Sequence, residues 1–141
     1  MSDIQVSLVP VEFVDNVWPS ISTYVDGAAE FTFGRFTTAD IKEGLLTKPH
    51  HLWIAFDEDE IYGFVVTEVY QYPRKKVLTM HFTGGHKLPL WKKPMLRLLQ
   101  QFGRDSECTV IESYGRPGWE RVFKNDGYNK QFILYELPVE N

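Results

Sequence analysis

The side chains of this sequence with most chemistry to offer are four histidines, a glutamate inside an apolar run and an arginine in a glycine-rich turn. His50, His51, His81 and His86 are potential metal ligands, but their spacing matches no zinc motif. His81 alternates with Met80 and Phe82, the pattern of a core or cleft histidine, so no metal is expected. Glu68 follows Phe64 and Val66 at two-residue intervals and shares their side of an extended run. A carboxylate set among apolar neighbours is a stronger base than a solvated one; the competing reading is an edge-facing surface residue. Gly115, Arg116, Pro117, Gly118 and Trp119 form a tight turn opening a helix, with Trp119 as its anchor. Arg116 there suits two-pronged capture of a carboxylate or phosphate, although the turn also serves simply to seat Trp119. Asp57, Glu58, Asp59 and Glu60 lack the alternating ligands and glycine of a calcium loop and read as a solvated turn. Cys108, the only cysteine, excludes an internal disulfide and reads as a small buried hydrophobe.

Composition limits what can position these groups. The 141 residues carry 15 Lys plus Arg against 19 Asp plus Glu, a formal charge of −4. That length suits a single domain, residues 1–141. Hydrophobic residues at 43% and aromatics at 15% exclude general disorder. The acidic balance argues against binding nucleic acid by bulk charge; Arg74, Lys75, Lys76 and Lys87, Lys92, Lys93 are small clusters, so no nucleic-acid partner is expected. No signal-like opening and no spanning apolar run is seen, so no membrane partner and a cytoplasmic location are expected.

The periodicity gives the elements. Residues 4–9 alternate as a strand up to Pro10. Phe13, Val17, Ile21, Tyr24, Val25 and Ala28 form a helical stripe, with a break expected at Pro19. A second helix starts at Thr37 to Asp40, a polar cap, and ends by Lys48. Strands follow at His51 to Phe56, Ile61 to Tyr70 and Val77 to Thr83, the last ended by Gly84 and Gly85. Trp91, Met95, Leu98, Leu99 and Phe102 mark one face of a helix, with Pro94 placed in its first turn. A strand at Cys108 to Ser113, a short helix from Pro117 to Gly127 and a last strand at Phe132 to Leu137 complete the chain. The expected class is α+β, a central mixed sheet with helices on both faces.

This order, the long central hairpin, and the close in Lys124, Asn125, Asp126, Gly127, Tyr128 together resemble the GNAT superfamily of acyl-CoA-dependent N-acetyltransferases over nearly the whole chain. The runs Asp40–Ile41–Lys42, Leu52–Trp53–Ile54–Ala55, Phe82 to Gly85 and Gly115 to Trp119 look like small GNAT-like proteins encoded by bacteriophages and prophages. The resemblance implies acetyl-CoA as cosubstrate, and a small-molecule or protein amine as acceptor. It implies a thioester arm entering between the fourth and fifth strands and a pyrophosphate at the start of the following helix. The matching stretch, Gly84, Gly85, His86, Lys87 and onward to Lys92 and Lys93, lacks the glycine signature, and Pro89 and Pro94 remove donors. Lysines and His86 would supply charge instead. By the same resemblance Glu68 is the first base candidate and His81 the second, with Arg116 and Trp119 beside the substrate. Phe123 stands where the family keeps an acidic tyrosine, so Tyr114 is the substitute proton donor. The departures leave a second expectation open: a non-catalytic binding or virion-associated module whose partner is a phage or host protein.

Overall fold

The computed structural model describes residues 3–115 and 125–139. Its elements run β1 (Gln5–Val9), a short 3-10 turn (Val11–Phe13), α1 (Val14–Glu30), α2 (Thr38–Thr47), β2 (His50–Phe56), β3 (Ile61–Tyr72), β4 (Lys75–Gly85), α3 (Leu88–Asp105) and β5 (Val110–Ser113). The sheet is ordered β1-β2-β3-β4-β5. Its first three pairings are antiparallel and the last, across the α3 crossover, is parallel. This is the mixed sheet expected from the sequence.

Alternation along the strands sends side chains into two cores. Val9, Leu52, Ile54, Phe64, Val66 and Phe82 pack under α1 and α2 with Ile21, Val25, Ile41 and Leu45. On the other face Trp53, Val65 and Leu78 meet Trp91, Met95 and Leu99 of α3. The central strand β3 is apolar on both sides because it feeds both cores.

Local chemistry sets the helix ends. At α2 the Thr37 hydroxyl accepts from the Asp40 N–H at 3.2 Å, while the Asp40 carboxylate accepts from the Thr37 N–H at 2.9 Å. This reciprocal cap satisfies two donors the helix cannot. The break expected at Pro19 does not occur: α1 runs through it. Pro19 lies early in the helix and forgoes only the bond to the Asp15 carbonyl, and both residues are exposed, where water can take the carbonyl. Pro94 is not in the first turn of its helix. α3 starts at Leu88, so Pro89 occupies the first turn and Pro94 the interior, and the carbonyl Pro94 leaves unbonded belongs to exposed Leu90.

Two sequence expectations fail or fall elsewhere at the C-terminal end. Phe132 to Leu137 forms no strand; Phe132, Leu134, Tyr135 and Leu137 are exposed, and no strand among the described residues forms a ladder with the segment. Alternating apolar residues make a strand only when a neighbour completes the ladder. An exposed ion pair from Arg35 to Glu136 at 2.9 Å contacts this segment. Most of the helix expected from Pro117, with Arg116 and Trp119, lies outside the described residues.

Candidate functional site

Two one-residue bulges in the sheet create the site. Between β2 and β3 the register passes from Phe56 opposite Ile61 to Ala55 opposite Gly63, so Tyr62 is the extra residue. Between β3 and β4 it passes from Val66 opposite Phe82 to Thr67 opposite Met80, so His81 is the extra residue. Such insertions re-aim side chains at the cost of one ladder position. The first sets His50 directly opposite Glu68. The second frees His81 from pairing while Met80 keeps to the α3 face, and the His81 imidazole reaches Glu68.

His81 Nε2 lies 2.8 Å from Glu68 Oε1, and His50 Nε2 lies 3.5 Å from Glu68 Oε2. The three side chains are partly buried, at 15%, 25% and 21% exposure for His50, Glu68 and His81. The Tyr114 ring stacks on His81, centroids 6.3 Å apart and planes inclined by 17°. Burial pulls the His50 imidazole below the ordinary histidine range, with Glu68 opposing the shift. Of the three groups expected to handle protons, Glu68 and His81 are within hydrogen-bond distance and Tyr114 stands beside them through its ring on His81. Tyr114 is 75% exposed, not a buried structural tyrosine.

His50 was not singled out from the sequence as part of this group. The linear spacing of the histidines predicted no cluster, yet His50, Glu68 and His81 each offer an atom within 4.8 Å of the others. They come from three neighbouring strands, which no linear motif reports. The available signal was the β2–β3 hairpin, but only a register corrected for the bulge at Tyr62 brings His50 to Glu68.

Beneath this face, the Thr67 hydroxyl accepts from the Trp53 indole N–H at 2.8 Å and lies 3.0 Å from His51 Nδ1. His51 thus points to the α3 side, against Phe102, and burial lowers its pKa. It stands next to His50 in sequence but on the opposite face.

Several of the residues expected to hold an anion also have contacts within the fold. A side chain on Gly84 would come within 2.9 Å of the Tyr24 carbonyl, so its absence lets α1 lie directly on β4. Gly85 has φ of +132° and faces Gly63 across the ladder, where any Cβ would strike the Tyr62 carbonyl. His86 donates its N–H to Tyr62 O at 2.8 Å, accepts from Trp91 Nε1 at 2.9 Å, and its ring lies 2.9 Å from Glu60. The Lys87 ammonium sits over the Tyr62 ring at 5.3 Å. Lys92 pairs with Asp126 at 3.1 Å, while Lys93 is exposed. The acidic run is a turn, as expected: the Asp57 carboxylate accepts from the Asp59 and Glu60 N–H groups and from the Tyr62 hydroxyl. That last bond pushes the Tyr62 pKa up to about 12.

The parallel β4–β5 ladder extends only from Val77–Val110 to Met80–Ser113, while β4 continues to Gly85. Beyond Met80 the two strands are no longer paired. A concavity of about 340 Å³, which includes space open to solvent, lies there between β4 and α3 and is lined by Met80, Thr83, Leu88, Trp91, Met95 and Tyr128 among others. Its walls are mostly apolar, with Thr83, Lys92 and Asp126 as polar members. The helix start suits a pyrophosphate poorly: Pro89 lacks an N–H, and the Leu90 N–H is bonded to the Lys87 carbonyl at 2.9 Å.

No model of a protein family matches the chain, and no curated protein does. Solved structures do match. A putative acetyl transferase from Pyrococcus furiosus superposes with a TM-score of 0.72 at 15% identity, covering 97% of this chain and 100% of its own. A ribosomal-protein-alanine N-acetyltransferase from Brucella melitensis gives 0.71 at 10% identity, covering 96% and 99%. An aminoglycoside N-acetyltransferase in complex with CoA gives 0.67 at 14% identity, covering 99% and 97%. The chain thus has the GNAT-like acetyltransferase fold. Among the described residues no helix is long and apolar enough to cross a membrane.

Proposed function

We propose that the protein is an acyltransferase that moves an acyl group from a coenzyme A thioester to an amine. The observation that carries this reading is the His81–Glu68 contact at the β4 bulge, with the Tyr114 ring stacked on His81, beside the point where β4 and β5 part. The cosubstrate would supply an activated acyl group, its arm lying in the apolar concavity against Met80, Trp91 and Met95. His81 donates Nε2–H to Glu68, which fixes the ring and leaves Nδ1 as the base that takes a proton from the acceptor amine. Glu68 balances the charge the imidazole gains, and the Tyr114 hydroxyl returns a proton to the departing sulfur. Gly84, Gly85, His86 and Lys92 support this site through the fold, leaving Lys87 and Lys93 to offer charge to phosphate groups. Arg116 and Trp119 are retained as substrate-binding candidates on the sequence argument alone.

A second reading, a phage-type binding module that has kept the fold and lost the cosubstrate, is favoured by the poor anion cradle at Pro89 and Leu90. Its partner would be a phage or host protein, met in the host cytoplasm or in the virion. Calorimetry with acetyl-CoA separates the two. Acyl transfer requires saturable binding, together with a kcat that falls in Glu68→Gln while acetyl-CoA affinity is kept. Absence of heat at millimolar acetyl-CoA overturns it in favour of the module.

A further inference from the structure

We infer that His50, Glu68 and His81 form a site for a divalent transition-metal ion, with zinc the best match. The inference concerns ion binding and does not depend on acyl transfer.

The argument begins with donor type. Two imidazoles and one carboxylate are a set that zinc accepts with three protein ligands and one open position. Next comes convergence: one ligand atom from each residue lies within 4.8 Å of the others, before any ion draws them together. Ligands about 2.0–2.1 Å from a tetrahedral ion stand roughly 3.4 Å apart. His50 Nε2 lies 3.5 Å from Glu68 Oε2 and His81 Nε2 lies 2.8 Å from Oε1, the other oxygen, so a small turn of the carboxylate toward one shared position would bring the three ligands to that spacing.

Rigidity comes third. The ligands sit on three adjacent strands of one sheet, and two are placed by register: His50 faces Glu68 in the ladder, and His81 is the bulged residue of β4. The His50 ring rests against buried Gly44 of α2, where a Cβ would come within 2.6 Å of Nδ1. The His81 ring is flanked by Tyr114 and Phe82. Partial burial leaves the open side facing outward for water or an anion. An ion here would take the Nε2 lone pair of His81 and leave the ring's proton on Nδ1, so metal loading and proton abstraction by His81 would exclude each other.

The test uses tag-free protein stripped with chelator, then titrated with zinc chloride by calorimetry and with cobalt(II) followed by its visible absorption. The expected result is one ion per chain, with tetrahedral cobalt bands, and an affinity lowered at least about tenfold in His50→Ala, Glu68→Gln and His81→Ala. His51→Ala, altered on the opposite face, should bind as the parent does. Gly44→Ala keeps all three ligands but displaces the His50 ring, and should also weaken binding, which guards against misfolding of the ligand variants. Absence of stoichiometric binding, or binding indifferent to the three ligand substitutions, would overturn the inference. Because the readouts are heat and absorption, a metal-binding protein that ignores acetyl-CoA would refute only the proposed activity, and the converse only the metal site.

Discussion

Replacing Thr67 by valine tests whether the strand that carries Glu68 is held by a buried polar contact. The substitution keeps shape and deletes the hydroxyl. Thr67 is 0% exposed and Trp53 2% exposed, so the indole N–H now bonded at 2.8 Å would have no access to water. A buried donor left without a partner costs about 1–3 kcal/mol. His51 also loses a neighbour at 3.0 Å, but it is only partly buried and can turn to solvent. An unfolding entropy of about 2.1 cal/mol/K per residue gives roughly 0.3 kcal/mol/K for a chain of this length, so the melting temperature should fall by about 3–10 °C. Differential scanning calorimetry measures it. The double-mutant cycle with Trp53→Phe sharpens the test: with the donor already gone, Thr67→Val should cost clearly less than in the parent. A melting point within about 1 °C of the parent, or an equal loss in both backgrounds, would refute the reasoning.

Other outcomes follow from the same geometry. Gly63→Ala should destabilise by about 1–3 kcal/mol or more, read from urea denaturation, because its Cβ would meet the Gly84 carbonyl at 2.7 Å and the Trp91 ring. Thr37→Ala should cost about 1 kcal/mol in the same assay by removing the α2 cap. The Thr37 N–H and hydroxyl hold the Asp40 carboxyl below its ordinary value. Its stabilising contribution is therefore complete above the unfolded value, near 3.9, and is lost as pH falls through the lower folded value. Asp40→Asn should accordingly flatten the acid limb of the stability profile, and an unchanged limb would count against the capping assignment.

Much of the fold could be read because single elements announce themselves. The Trp91, Met95, Leu99 spacing gave α3 its buried face, and Thr37 with Asp40 gave α2 its start. Glu68, His81 and Tyr114 could be picked out from strand alternation together with the family resemblance. What stayed hidden depends on relations between elements. Extending the Phe56–Ile61 register without interruption would set His50 opposite Thr67, on the wrong face, and only the extra Tyr62 corrects it. Phe132 to Leu137 alternates like a strand but has no neighbouring strand to pair with among the described residues, and sequence alternation carries no information about that.

The insertion at His81 also makes this chemistry vulnerable in an unusual way. Deleting either Tyr62 or His81 would straighten its ladder, at the cost of a buried core ring in the first case and of no core side chain in the second. Loss of Tyr62 would leave His50 opposite Glu68, and loss of His81 would leave Glu68 opposite Thr79, but the second deletion removes outright the imidazole that Glu68 meets. A descendant of this chain could therefore keep its architecture, its strand pairing and nearly every residue type while loss of the one codon for His81 dissolved the site, so that the presence of the bulge in β4 says more about retained activity than percentage identity does.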